Sequence, residues 1–238
     1  MDFVRIDGRR ADEMRKITIA KDYTKYAEGS VLYSQGDTVV LCNATVEDTV
    51  PPFLKDSGLG WVTAEYDMLP RATDRRNQRD IQKLKRNSRA SEISRLIGRS
   101  LRMSVNRELL GPRTITVDCD VLQADGGTRT ASICGGFLAI KLACERLLEK
   151  GMVAQNPVAS MVTAVSVGMV EGKALLDLYY AEDSRAEVDM NVVMDENMNF
   201  IELQGCGERA GFPYAALEEM LALAKEGNLQ IQGIIRNL

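Results

Sequence analysis

The segment 114–149 changes from a two-residue repeat to a helical repeat, and this change constrains the fold more than any other feature. Four apolar residues first alternate with polar ones: Ile115, Val117, Cys119 and Val121. After the glycine pair Gly126-Gly127, apolar residues recur at helical spacing as far as Gly151. A strand that leads directly into a long apolar helix predicts an α/β (α+β) fold.

Other strands and helices are predicted by shorter patterns of the same kind. The strands are 16–19, 30–33, 38–42, 161–170, 174–178, 187–194 and 200–203. Helices are predicted over 88–109, with Ser88 as the cap, and over 214–225. Residues 71–87 lack apolar periodicity and are predicted to form a mobile loop. Because no linker divides the chain, we expect one domain over 1–238, with two similar halves and mixed sheets backed by helices.

Composition narrows the class of protein. With 238 residues, 45% of them hydrophobic, the chain can bury a large core. No apolar run approaches the roughly 18 residues of a membrane span, and the first residues are charged. We therefore expect a cytoplasmic protein without membrane contact. The five cysteines are scattered, which predicts reduced thiols and argues against a zinc site.

The chain contains no histidine. This excludes a Ser-His-Asp triad, a Cys-His pair, a histidine-based zinc site and a histidine general base. Catalysis would have to use carboxylates, arginines, lysines, backbone amides or a hard metal ion.

Positive charge is concentrated in one segment. Residues 71–102 contain eleven basic and three acidic residues, although the net charge of the whole chain is −4. Such a segment indicates binding of a polyanion, and the alternative is a solvated helix face.

The stretch "QADGGTRTAS" predicts an anion site. Glycines allow backbone N–H groups to turn inward at a helix N-terminus, and Arg129 offers a planar fork that matches phosphate oxygens. The stretch lacks the lysine of a triphosphate loop and the glycine spacing of a dinucleotide loop. A small free anion needs neither, and the alternative is a tight turn with a surface arginine.

A second candidate site lies in "EDSRAEVDMNVVM". Asp183 precedes a turn, and Asp189 lies on the polar face of the strand that follows. Two carboxylates brought together suit Mg²⁺ or the protonation of a leaving oxygen. The alternative is an ordinary polar strand edge.

A third candidate is the arginine loop around 71–79. This loop has few aromatic residues and therefore suits binding of a phosphate backbone without base stacking.

Seven ordered blocks resemble the bacterial ribonuclease PH family almost from end to end. They are "IDGRRADEMR", "EGSVLYSQGDTVVLC", "GWVTAEYDMLPRAT", "RLIGRSLR", "DCDVLQADGGTRTAS", "EDSRAEVDMNVVM" and "IELQGCGE". The resemblance implies a pair of βαβα-type halves and a hexameric ring, a trimer of dimers. It also implies removal of nucleotides from RNA 3′ ends, notably of transfer RNA precursors, with inorganic phosphate as co-substrate.

The resemblance also implies roles for single residues. The attacking phosphate would be bound by Arg89, Gly127, Thr128 and Arg129. Asp183 and Asp189 would be catalytic and hold Mg²⁺, with Asp177 as a further candidate. RNA would be held by Arg71, Arg76 and Arg79. We also expect the apolar residues of the C-terminal segment to contribute to subunit contacts: Leu229, Ile231, Ile234 and Ile235.

The sequence departs from the family pattern at three places: the tract 85–88 lacks the usual glycines, Arg75 adds a charge, and Cys206 replaces a common threonine. Two other functions remain possible at this point. A metal-dependent hydrolytic exonuclease would use the same carboxylates without a phosphate pocket. A non-catalytic RNA-binding ring subunit would keep the arginines and lose the acidic pair.

Overall fold

The structure is a computed structural model that describes residues 4–84 and 87–238.

The first of its two sheets contains both parallel and antiparallel strand pairs. The strands of this sheet are β1 (Ile17–Lys21), β2 (Gly29–Gln35), β3 (Thr38–Glu47), β4 (Trp61–Met68) and β5 (Thr114–Gln123). Their order is β1-β2-β3-β5-β4. Only the β4–β5 pair of neighbours is parallel within the described residues.

The second sheet follows in the chain and is antiparallel. Its strands are β6 (Val162–Val170), β7 (Lys173–Leu176), β8 (Val188–Asp195) and β9 (Phe200–Gly207), in the order β7-β6-β8-β9. Strand β6 is buried along its whole length, which explains its nearly continuous apolar sequence.

The helices cover and separate the sheets. They are α1 (Asp80–Lys83), α2 (Ser88–Arg102), α3 (Arg107–Leu110), α4 (Thr128–Glu149), α5 (Tyr180–Asp183) and α6 (Tyr214–Arg236). Helix α4 packs against β2 and β3 of the first sheet and against β6 of the second, whereas α2 covers β4 and α6 covers β6 and β7. Because α4 contacts both sheets, it is apolar on nearly all sides. One hydrophobic core includes residues of both sheets.

The helix predicted over 88–109 is two helices. Asn87, not Ser88, caps α2, because its side chain accepts hydrogen bonds from the backbone N–H groups of Arg89 and Ala90 at 3.0 and 3.4 Å. The chain leaves the helix after Arg102, and Val105 then forms a β-bridge with Val158. That bridge breaks the helical repeat that the apolar spacing had suggested.

Three further expectations are corrected. Strand β4 was not predicted, although its alternate residues Val62, Ala64 and Tyr66 are buried. The polar segment 71–87 contains the short helix α1. Helix α6 continues to Arg236 because Ile231 and Ile235 belong to its buried face, whereas Leu229 and Ile234 are exposed. Ile231 and Ile235 are therefore in the core and cannot form a subunit surface. The departures at Lys85 and Arg86 lie outside the described residues.

All five cysteines are free thiols, and Cys206 is exposed whereas the other four are buried. Within residues 4–84 and 87–238, none of the helices combines the length and the apolar character that a membrane crossing requires.

Candidate active site

The glycine turn lies at the N-terminus of α4. Gly126 and Gly127 have φ of 75° and 65°, a conformation that residues with a Cβ rarely adopt. A Cβ on Gly126 would also lie 2.6 Å from the carbonyl oxygen of Leu178, so the turn requires glycine on steric grounds. No side chain caps the helix, which leaves the first N–H groups of α4 for a ligand.

Polar side chains hold the turn from behind. Thr38 Oγ1 donates to the carbonyl oxygen of Gly126 at 2.6 Å and accepts from the N–H of Asp125 at 3.0 Å. Arg15 donates to the carbonyl oxygens of Asp125 and Gly126. Both carbonyl oxygens are therefore engaged by Thr38 and Arg15, which holds the turn in place.

The side chains of the turn are also positioned by neighbours. The hydroxyls of Thr128 and Tyr66 share a hydrogen bond of 2.8 Å, which fixes Thr128 against β4. Arg129 donates through Nη2 to Glu92 Oε2 at 3.3 Å, and Gln204 Nε2 donates to Glu92 Oε1 at 2.9 Å. Arg129 Nε is buried and has no partner within the described residues. The guanidinium is therefore oriented through Nη2, and Nε on the same edge has no partner within the described residues.

Asp183 and Asp189 are brought together from α5 and β8. Burial raises the pKa of Asp189 to about 6, and the negative charge of Asp183 adds to the effect. Burial also raises the pKa of Asp183, an effect that the positive charges of Arg129 and Arg89 oppose. The two carboxyls thus share one partly desolvated environment close to the two arginines.

Two cavities meet at these residues. The first has a volume of about 460 Å³ and is lined by the glycine turn, Tyr66 and part of the arginine loop. The second, of about 550 Å³, extends toward β9 and is lined by Gln204 and Cys206. Five residues line both cavities: Arg89, Arg129, Asp183, Asp189 and Asn191. The predicted anion site and the predicted acidic site therefore form one site, built from the two halves of the chain.

The arginine loop lies at the edge of this site. Arg71, Arg76 and Arg79 are all exposed, and Arg79 lines the first cavity together with Asn77 and Gln78. Arg71 and Arg76 line neither cavity, so they stand farther along any path that a bound chain would follow.

Asp177 has a different environment. It is buried, and its two carboxylate oxygens accept hydrogen bonds from Arg15 at 2.6 and 3.0 Å. It lines neither cavity. Because its charge is already neutralised by Arg15, we leave Asp177 out of the proposed metal ligands.

The acidic pair suits Mg²⁺ better than a metal that needs a closed protein cage. The described residues contain no group of three or more His, Cys, Asp or Glu side chains arranged around a common ion position. Mg²⁺ is commonly held by one or two carboxylates, with waters and substrate phosphates as the other ligands. Asp183 and Asp189 fit that pattern.

Sequence reasoning missed the residues that position the site. Arg15 and Tyr66 lie far from the turn in the sequence, and only the fold brings them to it. Arg5 binds Glu182, the neighbour of Asp183, through two hydrogen bonds of 2.8 and 2.5 Å. The sequence signal for Arg5 and Arg15 is their place in "RIDGRRADEMR", which supports the family resemblance but gives neither arginine a role in the site.

Comparison with known families gives two matches along the chain. A sequence model of the 3′ exoribonuclease family, domain 1, matches residues 13–144, and the model of domain 2 of the same family matches residues 160–227. Arg89 and the glycine turn fall in the first match, whereas the acidic pair falls in the second.

Solved structures with the same fold include two exosome structures and rice Rrp46. The "archaeoglobus fulgidus exosome with RNA bound to the active site" superimposes with a TM-score of 0.84 at 23% identity, covering 98% of this chain and 93% of that chain. Rice (Oryza sativa) Rrp46 gives 0.76 at 18%, covering 98% of both chains. An archaeal exosome core gives 0.78 at 22%, covering 98% and 91%. At these identities the likeness establishes the fold.

Proposed function

The chain belongs to the 3′ exoribonuclease family of ribonuclease PH type, and we propose that it is a phosphorolytic 3′→5′ exoribonuclease. One observation carries the proposal: the glycine turn, a candidate anion site, lines the first cavity together with the carboxylate pair. A hydrolytic nuclease needs only the carboxylates. The turn is explained when the attacking group is itself an anion.

In the proposed mechanism, the site neutralises the negative charges of the attacking phosphate and of the RNA phosphodiester and holds the two groups in line. The N–H groups of α4, the Thr128 hydroxyl and the guanidinium groups of Arg89 and Arg129 bind inorganic phosphate and orient it. An oxygen of this phosphate forms a bond to the last phosphorus of the RNA while the bond to the 3′ oxygen breaks, which releases a nucleoside diphosphate. The 3′ oxygen takes up a proton and leaves as a hydroxyl.

The carboxylate side of the site serves the leaving group. Mg²⁺, when bound by Asp183 and Asp189, supplies positive charge to the scissile phosphate and the leaving oxygen. When no metal is bound, burial raises the pKa of Asp189 to about 6, so that its carboxyl can exchange protons close to neutral pH. The reverse reaction, addition of nucleotides from diphosphates, uses the same contacts.

The substrate proposed is RNA with an exposed 3′ end, of which transfer RNA precursors with 3′ extensions are the class that the resemblance implies. Arg71, Arg76 and Arg79 would bind its backbone phosphates. Because the loop has few aromatic residues on which bases could stack, we expect these arginines to bind the RNA backbone without base-specific contacts.

The decisive test is the chemical form of the released nucleotide. We expect nucleoside diphosphates from short RNA only when phosphate is supplied, and extension of RNA 3′ ends when diphosphates are in excess. The phosphoanhydride of the product is of similar energy to the bond that was cleaved, so the reaction should be reversible. Chromatography of the products with and without phosphate measures this. Release of monophosphates at full rate in phosphate-free buffer would establish the hydrolytic alternative instead.

The arginine loop should act through charge. Replacing Arg76 by alanine removes one phosphate contact, so the slope of log affinity against log salt concentration should become shallower by about 0.7 for single-stranded RNA. Arg76→Lys should keep the slope. Lys173 is exposed and lines neither cavity, so Lys173→Ala is the matched control. Unchanged slopes for Arg71→Ala, Arg76→Ala and Arg79→Ala would remove the loop from the RNA path.

We also propose assembly into a homohexameric ring, a trimer of dimers. Light scattering on dilute protein should then give six times the chain mass of 26.3 kDa. An active, monodisperse monomer would contradict the ring.

A non-catalytic ring subunit is the second candidate, since exosome structures share the fold. The placement of both Asp183 and Asp189 in the cavities beside the turn favours the catalytic function.

A further inference from the structure

Ser166 is a buried polar residue of the site that the proposed mechanism leaves unused. It lies in the middle of β6, the strand that is buried along its whole length, and only 3% of its surface is exposed. Its Oγ is buried and has no hydrogen-bond partner within residues 4–84 and 87–238. Buried hydroxyls nearly always find a partner, so this one calls for a ligand or a water molecule.

The position of Ser166 points to the ligand. Its Oγ lies 3.6 Å from the place that a Cβ on Gly127 would take, and Ser166 lines the first cavity beside Gly127, Thr128 and Arg129. A side chain on Gly127 would therefore come between the hydroxyl and the turn. The absence of a Cβ leaves that space open.

The sheet places Ser166 in register with the rest of the site. Ser166 pairs with Asn191 across β6 and β8, and Asn191 pairs with Gln204 across β8 and β9. Directly opposite residues of antiparallel strands share a face, so all three point to the same side of the sheet. The next row on this face contains Gly168, Asp189 and Cys206. Ser166 is thus next to the row that carries Asp189.

Arg129 supplies an independent sign that a ligand belongs here. Its Nε is also buried and lacks a partner in the described part of the chain, and Arg129 lines the same cavity. Two unpaired buried donors, one from β6 and one from α4, are therefore found around the glycine turn. An anion with several oxygens can satisfy both at once.

We propose that the hydroxyl of Ser166 donates a hydrogen bond to the phosphate bound at Gly127–Arg129, and that it fixes the rotation of that phosphate. The helix donors contact the anion from α4, whereas Ser166 contacts it from the sheet that carries Asp189. In the reverse reaction the same hydroxyl binds the terminal phosphate of a nucleoside diphosphate. This inference rests on the proposed function, because it names a further residue of the same phosphate site.

Ser132 and Ser100 provide matched controls. Each has a buried Oγ without a partner in the described residues, as Ser166 has, but neither lines a cavity of the site. Ser→Ala at all three positions removes the same atom from a similar environment. If only Ser166→Ala weakens phosphate binding, the cause is the location of its hydroxyl in the site. A general effect of losing a buried polar atom would appear in all three variants.

The experiment measures binding of inorganic phosphate to the full-length protein by calorimetry, without RNA. Ser166→Ala should weaken binding tenfold or more, as expected for the loss of a hydrogen bond to a charged group. Ser132→Ala and Ser100→Ala should leave the affinity unchanged. Ser166→Thr keeps a hydroxyl and should bind phosphate more tightly than Ser166→Ala does. In the phosphorolysis assay, Ser166→Ala should raise the phosphate concentration at half-maximal rate and leave the KM for RNA unchanged.

The outcomes separate this inference from the proposed function. If wild-type protein cleaves RNA with phosphate while Ser166→Ala matches it in phosphate affinity, Ser166 holds only water and the inference fails alone. If wild-type protein binds phosphate through Ser166 but does not cleave RNA, the inference stands and the proposed function fails. Absence of phosphate binding by wild-type protein overturns the inference as well.

Discussion

Replacing Asp189 by asparagine is expected to lower turnover on RNA by about a hundredfold or more, with little change in RNA affinity. The amide keeps the size of the side chain but gives a weaker metal ligand and cannot exchange a proton. Asp183→Asn should behave in the same way, because both carboxyls line both cavities. Single-turnover kinetics with saturating RNA and phosphate measure the effect directly.

Glu187 gives the matched control for this substitution. It lies next to β8 and is exposed, but it lines neither cavity, so Glu187→Gln should keep near-normal turnover. If both aspartate variants retain wild-type turnover while Glu187→Gln loses it, the carboxylate assignment is wrong.

The stability of the Asp189 variant is a second readout with a defined sign. The pKa of Asp189 is about 6 in the folded protein against an ordinary value of 3.8, so the folded state holds the proton more tightly than the unfolded state. In metal-free protein, the free energy of unfolding should therefore fall as pH rises from about 4 to about 6 and stay lower above that range. Asp189→Asn should lack this loss and be more stable by up to ~3 kcal/mol near neutral pH. Denaturant unfolding at several pH values tests both statements.

Arg129→Ala is expected to raise the phosphate concentration at half-maximal rate tenfold or more. The substitution removes a planar fork that is oriented by Glu92 and has a free donor at Nε. Arg129→Lys keeps the charge without the fork and should be intermediate. RNA affinity should change little in either variant, because the guanidinium serves the attacking phosphate.

Arg95 is the control, since it is exposed on α2 and lines neither cavity. Arg95→Ala should have a wild-type phosphate requirement. An equal effect of Arg95→Ala and Arg129→Ala would mean that general charge, and not the turn, determines phosphate binding.

Local patterns were sufficient for much of the fold. The strand–turn–helix unit around Gly126 and Gly127 was predicted because periodicity and glycine chemistry act over neighbouring residues. Strand β4 was missed because Ala64, Glu65 and Asp67 have low strand propensity, although apolar and polar residues alternate along it. The C-terminal end of α6 was predicted too early, since burial of Ile231 and Ile235 depends on contacts with the second sheet.

The candidate site also depends on contacts between residues that are distant in the sequence, which local patterns do not predict. The two motifs were recognisable from residue type and spacing, but their meeting in one cavity depends on α4 packing between the two sheets. The support from Arg15 and Tyr66 joins residues that are distant in sequence, and no spacing rule connects them. Ser166 is a missed residue with a local signal, because a hydroxyl in the middle of a strand that is otherwise apolar except for Thr163 needs an explanation.

The raised pKa of Asp189 has a consequence for how such proteins diverge. A carboxylate that weakens the fold is retained against random substitution only while its chemistry is under selection. Under the proposed function, a duplicated copy that no longer needed to cleave RNA would lose this cost in metal-free protein through a single substitution at Asp189. Its arginine loop would be unchanged, so loss of cleavage would not require loss of the proposed RNA contacts.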